Sequence, residues 1–146
     1  MSDFAPHIEQ IRARLKVSEV IGKDVRLIRK GNEFYKKAEY PKAVDQYQKA
    51  LQAEPHNVPA AFNLANAYYR QDQKVEAAKL LSAMLPDAGQ KEIRDRIYYN
   101  RGVILSNQKN IEESIEAYKN ALRQDPMDME ARENLQKALL ELKRKS

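Results

Sequence analysis

Apolar and small residues recur along this chain at one interval. Aligning Gly31 with Ala65 and Gly102 gives offsets of 34 and 37 residues. Three residues further on stand Phe34, Tyr68 and Leu105, and twelve beyond the small residue stand Ala43, Ala77 and Ser114. Tyr47, Leu81 and Tyr118 follow, then Ala50, Met84 and Ala121, and the segments close on Pro55, Gly89 and Pro126. Within each segment the spacing fits two amphipathic helices. The small columns let two antiparallel helices approach closely, and the aromatic and leucine columns fill the space between them. Proline ends the second helix, because it lacks an N–H and disfavours helical backbone in the residue before it. One such hairpin cannot bury its own apolar face, so the pattern predicts hairpins stacked on hairpins.

The segments run over residues 24–57, 58–94 and 95–128, the middle one carrying about three extra residues within 85–95, which predicts a longer loop or helix end there. Asn57 before Val58-Pro59 reads as a helix N-cap with proline in the first turn. Tyr40-Pro41 marks another helix start, and Asn110-Ile111-Glu112-Glu113 resembles a capping box. Residues 129–146 predict a closing helix with Leu135, Ala138, Leu139 and Leu142 on one stripe. Residues 1–23 predict a helical extension, with Ile8, Ile11, Leu15, Val20 and Ile21 placed to cover the open side of the first hairpin.

The columns resemble the tetratricopeptide repeat (TPR), a 34-residue helix–turn–helix unit. Arg29-Lys30-Gly31-Asn32-Glu33-Phe34 opens the first unit, Ala43-Val44-Asp45-Gln46-Tyr47 and Ala50-Leu51 continue it, and Pro55 ends it. The middle unit departs from the family's pattern at Met84 and Gly89. The resemblance implies an all-α solenoid of three repeats with an N-terminal helix and a C-terminal capping helix. Asn63-Leu64-Ala65-Asn66-Ala67-Tyr68-Tyr69, Ser114–Arg123 and Asp128–Leu135 are further similar to the TPR proteins of the bacterial aerotolerance (Bat) operon, which implies a cell-envelope scaffold. Ile8–Leu15 and Val17–Gly22 resemble the first residues of bacterial primases. That family's zinc ribbon cannot be carried over, because this chain has no cysteine.

Composition agrees with a helical, non-catalytic chain. Four Gly and six Pro in 146 residues are too few for an all-β protein. The absence of Cys excludes a disulfide framework, a thiolate metal site and a Cys nucleophile. His7 and His56 lie beside prolines and carry no triad spacing, and no glycine-rich phosphate loop occurs. The pairs Glu112 and Glu113, and Asp128 and Glu130, fall at helix starts, where they complement the macrodipole. No cofactor, metal or enzymatic activity is expected. The net charge of +5 gathers at one end: residues 1–37 hold nine Lys/Arg against five Asp/Glu. Arg12, Arg14, Lys16, Arg26, Arg29 and Lys30 supply a second expectation, nucleic-acid association, in a segment poor in interleaved aromatics. No apolar run is long enough to span a bilayer, so a cytoplasmic protein is expected, or a periplasmic or cell-envelope one if an export signal has been removed.

The TPR resemblance implies that the first helices of the repeats line a groove. Counting the small residue as the eighth, the groove positions are Val25, Ile28, Asn32, Tyr35 and Lys36 in unit one. They are Pro59, Phe62, Asn66, Tyr69 and Arg70 in unit two, and Arg96, Tyr99, Val103, Ser106 and Asn107 in unit three, with Asn63 and Asn100 bordering them. Asparagine amides both donate and accept, so they can hold an extended peptide backbone. Aromatics add rigid contact area, and Arg and Lys meet carboxylates. The candidate peptide-binding residues are therefore Asn32, Tyr35, Lys36, Phe62, Asn63, Asn66, Tyr69, Arg70, Arg96, Tyr99 and Asn100. They suit a protein or peptide ligand with an acidic or carboxylate feature. The family's carboxylate clamp for chaperone tails maps onto Ile28, Asn32, Asn63, Arg96 and Asn100. Both asparagines are kept and Arg96 is a fair substitute, but two cations are missing, so a standard chaperone-tail receptor is not the first expectation. Self-association through a terminal helix is another.

Overall fold

The computed structural model describes residues 22–146. The amphipathic stretch expected over 7–21, His7 and the primase-like residues up to Ile21 lie outside the described residues. Among the described residues every regular element is helical, and they fall into two compact units, residues 22–87 and 88–146.

The first unit holds α1 (Lys23–Lys36), α2 (Tyr40–Ala53), α3 (Val58–Arg70) and α4 (Lys74–Met84), which runs into a 3₁₀ turn at Leu85–Asp87. Each helix packs on the next. The core is Ile28, Ala43, Val44, Tyr47, Ala50, Ala60, Leu64 and Ala67, with Phe34, Leu51 and Tyr68 packed against it. The second unit holds α5 (Lys91–Asn107), α6 (Ile111–Gln124) and α7 (Met129–Lys145), with α6 packed on both neighbours.

The first column of the repeat is small for a measurable reason. A Cβ added to Gly31 would come within 2.5 Å of the Tyr47 ring, and one added to Gly102 within 2.5 Å of the Tyr118 ring. The middle segment carries Ala65 and, in the tyrosine column, Leu81, both fully buried. Gly goes with Tyr and Ala with Leu, so the summed volume of the two columns is conserved across the repeats.

The hairpin turns are also repeated. Glu39 N–H donates to Phe34 C=O at 2.9 Å, Gln73 N–H to Tyr68 C=O at 2.8 Å and Asn110 N–H to Leu105 C=O at 2.9 Å. The residue before each donor is left-handed: Ala38 at φ 59°, Asp72 at φ 65° and Lys109 at φ 66°. This is the helix C-terminal motif in which glycine is usual. A Cβ in this region costs about 1–2 kcal/mol, partly offset by the greater unfolded-state freedom of glycine. Ala38→Gly and Lys109→Gly should therefore each raise stability by roughly 0.5–1 kcal/mol, read as a higher urea midpoint with unchanged slope.

The helix starts follow the sequence in part. Asn57 caps α3, its Oδ1 accepting from Ala60 N–H at 3.0 Å, while its Nδ2 donates to Asp24 at 2.8 Å and ties that start to the first turn of α1. Asn110 does precede α6, but its side chain makes no capping bond. Asp128, expected at a helix start for its charge, is also the N-cap of α7, its Oδ1 accepting from Ala131 N–H at 3.0 Å.

The extra residues of the middle segment are taken up by the 3₁₀ turn and by an early start of α5, which is 17 residues long against 14 for α1 and 13 for α3. Arg94 secures that start, donating to Ala88 C=O and to Gln124 Oε1, both at 2.9 Å. The stripe expected on the closing helix is rotated. Ala131, Asn134 and Ala138 are buried, Leu135 and Leu142 are half-buried, and Leu139 is exposed.

Candidate functional site

In the first unit, α1 and α3 bring two of the expected asparagines together. Asn32 Oδ1 accepts from Asn63 Nδ2 at 3.1 Å and from the Tyr47 hydroxyl at 2.5 Å. Tyr47 comes from α2, so three helices converge on one carboxamide oxygen. Two donors fix which end of the Asn32 amide is oxygen, and its N–H₂ points away from them. Tyr47 fills space in the repeat pattern, and its hydroxyl in addition sets the orientation of Asn32.

At the C-terminal ends of the same helices, Arg70 Nε donates to the Tyr35 hydroxyl at 3.1 Å, and the Tyr35 ring meets Tyr40 edge-on at 5.2 Å. Lys36 is exposed beside them, whereas Phe62, Asn66 and Tyr69 are buried in α3. Ile28, where the clamp would carry a cation, is 1% exposed and belongs to the core.

The second unit treats Arg96 differently from the expectation. Its guanidinium lies among three carboxylates: Asp95 at 2.9 Å, Glu130 at 3.2 Å, and Asp128 in a short contact. It also stands over the Tyr99 ring, 4.9 Å from the centroid. Asp95 and Asp128 are nearly fully buried. Burial, and then the hydrogen bond with Asp128, push the Asp95 carboxyl up to about 8. The Asp128 carboxyl is held below its ordinary value: its burial works the other way but is outweighed by the hydrogen bonds from Asp95, Ala131 N–H and Arg96 and by the Arg96 charge. The arrangement is a carboxylic acid donating to a carboxylate. Asp95 Oδ1 is buried and has no hydrogen-bond partner among the described residues. Arg96 is thus the counter-ion of an internal acid pair. Asp128 was legible in principle, since it follows Pro126 as Asn57 follows Pro55; Asp95 gave no signal.

Tyr99 and Asn100 are fully buried. The Tyr99 hydroxyl accepts from Asn134 Nδ2 at 3.1 Å, and its ring lies 6.1 Å from that of Tyr118. Elsewhere, His56 is exposed and its Nδ1 lies 3.0 Å from Asp87 Oδ2; that hydrogen bond and the Asp87 charge raise its pKa. No cluster of His, Asp and Glu among the described residues could hold a metal, and no described helix is long and apolar enough to cross a membrane.

Residues 35–95 and 96–128 each match a family model described as tetratricopeptide repeat. The chain belongs to the tetratricopeptide-repeat family. A solved structure of the first TPR of Spaghetti (RPAP3) bound to the HSP90 peptide SRMEEVD is 28% identical, with a TM-score of 0.76 over 82% of this chain and 93% of that one. RNA polymerase II-associated protein 3 of Homo sapiens is 28% identical over 108 residues, and Hsp70-Hsp90 organizing protein 3 of Arabidopsis thaliana is 27% identical over 121 residues. These matches cover 74% and 80% of this chain. The chain spans only 16% and 20% of the length of those two proteins. Aerotolerance-operon proteins and primases are not among these relatives, so those finer resemblances are not carried further.

Proposed function

We propose that this TPR chain is a non-enzymatic interaction scaffold that captures the acidic C-terminal segment of a partner protein. The likeness to a TPR domain bound to SRMEEVD, across nearly the whole of that domain, carries the reading. The oriented amides of Asn32 and Asn63 support it, because an oriented N–H₂ is a donor for a carboxylate or peptide carbonyl. The charge supply differs from that of a full clamp: Ile28 is core, Asn100 is neutral and buried, and Arg96 is matched by acids. Recognition therefore leans on amides and apolar contact more than on ion pairs, and the affinity is modest and weakly salt-dependent.

The test is calorimetric titration of SRMEEVD against its C-terminal amide. The free carboxylate should bind more tightly. Asn32→Asp is the discriminating variant. An aspartate there still accepts from Asn63 and Tyr47, so the fold is kept, but it sets a negative charge against the ligand. A loss of roughly tenfold, about 1.4 kcal/mol, is expected with unchanged helicity. Equal binding of acid and amide, or indifference to Asn32→Asp, overturns the reading.

A further inference from the structure

The closing helix α7 keeps the register of the first helices of the repeats. Counted from the N-caps Asn57 and Asp128, Ala65 and Gln136 both stand eighth. Gln136 therefore falls in the column of Gly31, Ala65 and Gly102, and Leu139 in that of Phe34, Tyr68 and Leu105. In the repeats these columns lie under the second helix of the hairpin: Phe34 packs on the core that holds Tyr47, and Leu105 is 5% exposed. Among the described residues no helix follows α7, and Leu139 is 44% exposed. A second helix like α2 or α6 does not fit over this column. A single Cβ at Gly31 or Gly102 would already come within 2.5 Å of the tyrosine ring, and Gln136 is far larger.

The face is nevertheless apolar. Leu135, Leu139 and Leu142 follow one another at four- and three-residue spacing, the spacing of a helix–helix seam. They lie on one flank of the packed Ala131 and Ala138, and Asn134, bonded to Tyr99 of α5, lies on the other. Leu140 borders the seam and is 56% exposed. Charge along α7 is polarised: Glu130 and Glu133 stand exposed at its start, and Lys143, Arg144 and Lys145 stand exposed at its end. A parallel copy would set like charge against like, whereas an antiparallel copy sets each acidic start against a basic end. The register that places Leu135 against Leu142 of a second copy, with Leu139 near the two-fold axis, also places Glu133 against Arg144 of the second copy. Arg132, at the start of the seam, is drawn back to Pro126 C=O at 2.7 Å.

We infer that this face is a self-complementary interface through which two copies of the chain pair α7 against α7, antiparallel about a two-fold axis. The seam is short, so the dimer is weak, with a dissociation constant on the order of 10⁻⁴ M. Peptide capture plays no part in the inference.

The test is sedimentation velocity of the full chain from about 10 µM to about 500 µM. The average mass should rise reversibly toward twice that of the monomer. Leu139→Glu, at an exposed position, should keep the helicity and weaken pairing at least tenfold. Glu133→Arg should weaken it about fivefold, because the two-fold axis makes each charge pair occur twice. Glu133→Arg with Arg144→Glu should restore it. The two residues are about 16 Å apart along one helix, so rescue by the double exchange arises only between copies. A chain that stays monomeric over the whole range, a dimer indifferent to Leu139→Glu, or a double exchange no better than the single one overturns the inference. Cosedimentation of a persistently monomeric chain with vesicles of phosphatidylserine and phosphatidylcholine would also overturn it, assigning the leucines and the basic end to an anionic lipid surface.

Discussion

Gly102→Ala should lower the stability of this protein by about 1–3 kcal/mol, although alanine is the better helix former at an exposed site. The added Cβ would stand 2.5 Å from Cε1 and 2.7 Å from Cδ1 of Tyr118, a ring that is 2% exposed. A buried ring has no free rotamer to retreat into, so the helices must separate. Gly31→Ala meets Tyr47 at the same distances and should cost a similar amount. The decisive experiment is the pair. Gly102→Ala with Tyr118→Leu reproduces the combination that the middle segment already uses at Ala65 and Leu81, and should recover most of the loss. Thermal or urea unfolding of the two single variants and the double gives a coupling energy, which should be at least 1 kcal/mol in the restoring direction. Additive losses would show that the columns are not volume partners.

That exchange explains why the architecture could be read from the sequence. Packing between the paired helices imposes size on fixed columns, and size survives in a single sequence as a period. Gly31, Ala65 and Gly102 are visible for this reason, and so are the prolines that end the second helices. The turn residues Ala38, Asp72 and Lys109 share a position but no chemistry, because hydrogen bonds to the Phe34, Tyr68 and Leu105 carbonyls hold their backbone left-handed. Nothing in their side chains announces it. The closing helix misled for another reason: Leu139 and Leu140 are 44% and 56% exposed, and small residues, Ala131 and Ala138, make its packed face. Of the candidate site, repeat position gave which residues share a face but not their partners. Asn32 and Asn63 meet as the repeat position implies. Arg96 does not face outward as a bare cation, since Asp95 and Asp128 take up its charge. Pairing between residues 32 positions apart in the chain leaves no periodic trace.

The acid pair makes a second large effect measurable, and its sign follows from the two carboxyls separately. Asp95 binds its proton more tightly in the folded chain, up to about 8, than the ordinary 3.8 of an unfolded carboxyl. Its contribution to stability is complete below about pH 4 and is lost as pH rises toward 8. Asp128 is shifted down, so its contribution is present above about pH 4 and is lost only as pH falls below that value. Of the two carboxyls only Asp95 has a slope between pH 4 and 8, at most about 1.4 kcal/mol per pH unit and negative with rising pH; exposed His56, its pKa raised by Asp87, adds a minor slope of the same sign. Asp95→Asn removes the titrating group while keeping the shape, a donor toward Asp128 and an acceptor toward Arg96. The wild type should therefore unfold more readily at pH 8 than at pH 5, and Asp95→Asn should keep only the minor His56 slope over that range and be more stable than the wild type at pH 8. Asp95→Ala should show the same minor slope but be less stable throughout, because it strips Arg96 and Asp128 of a partner inside the unit. Urea midpoints at four or five pH values distinguish the three. A wild-type curve that is level from pH 5 to 8 would mean that the two carboxyls do not share a proton and that Arg96 is balanced by two full charges.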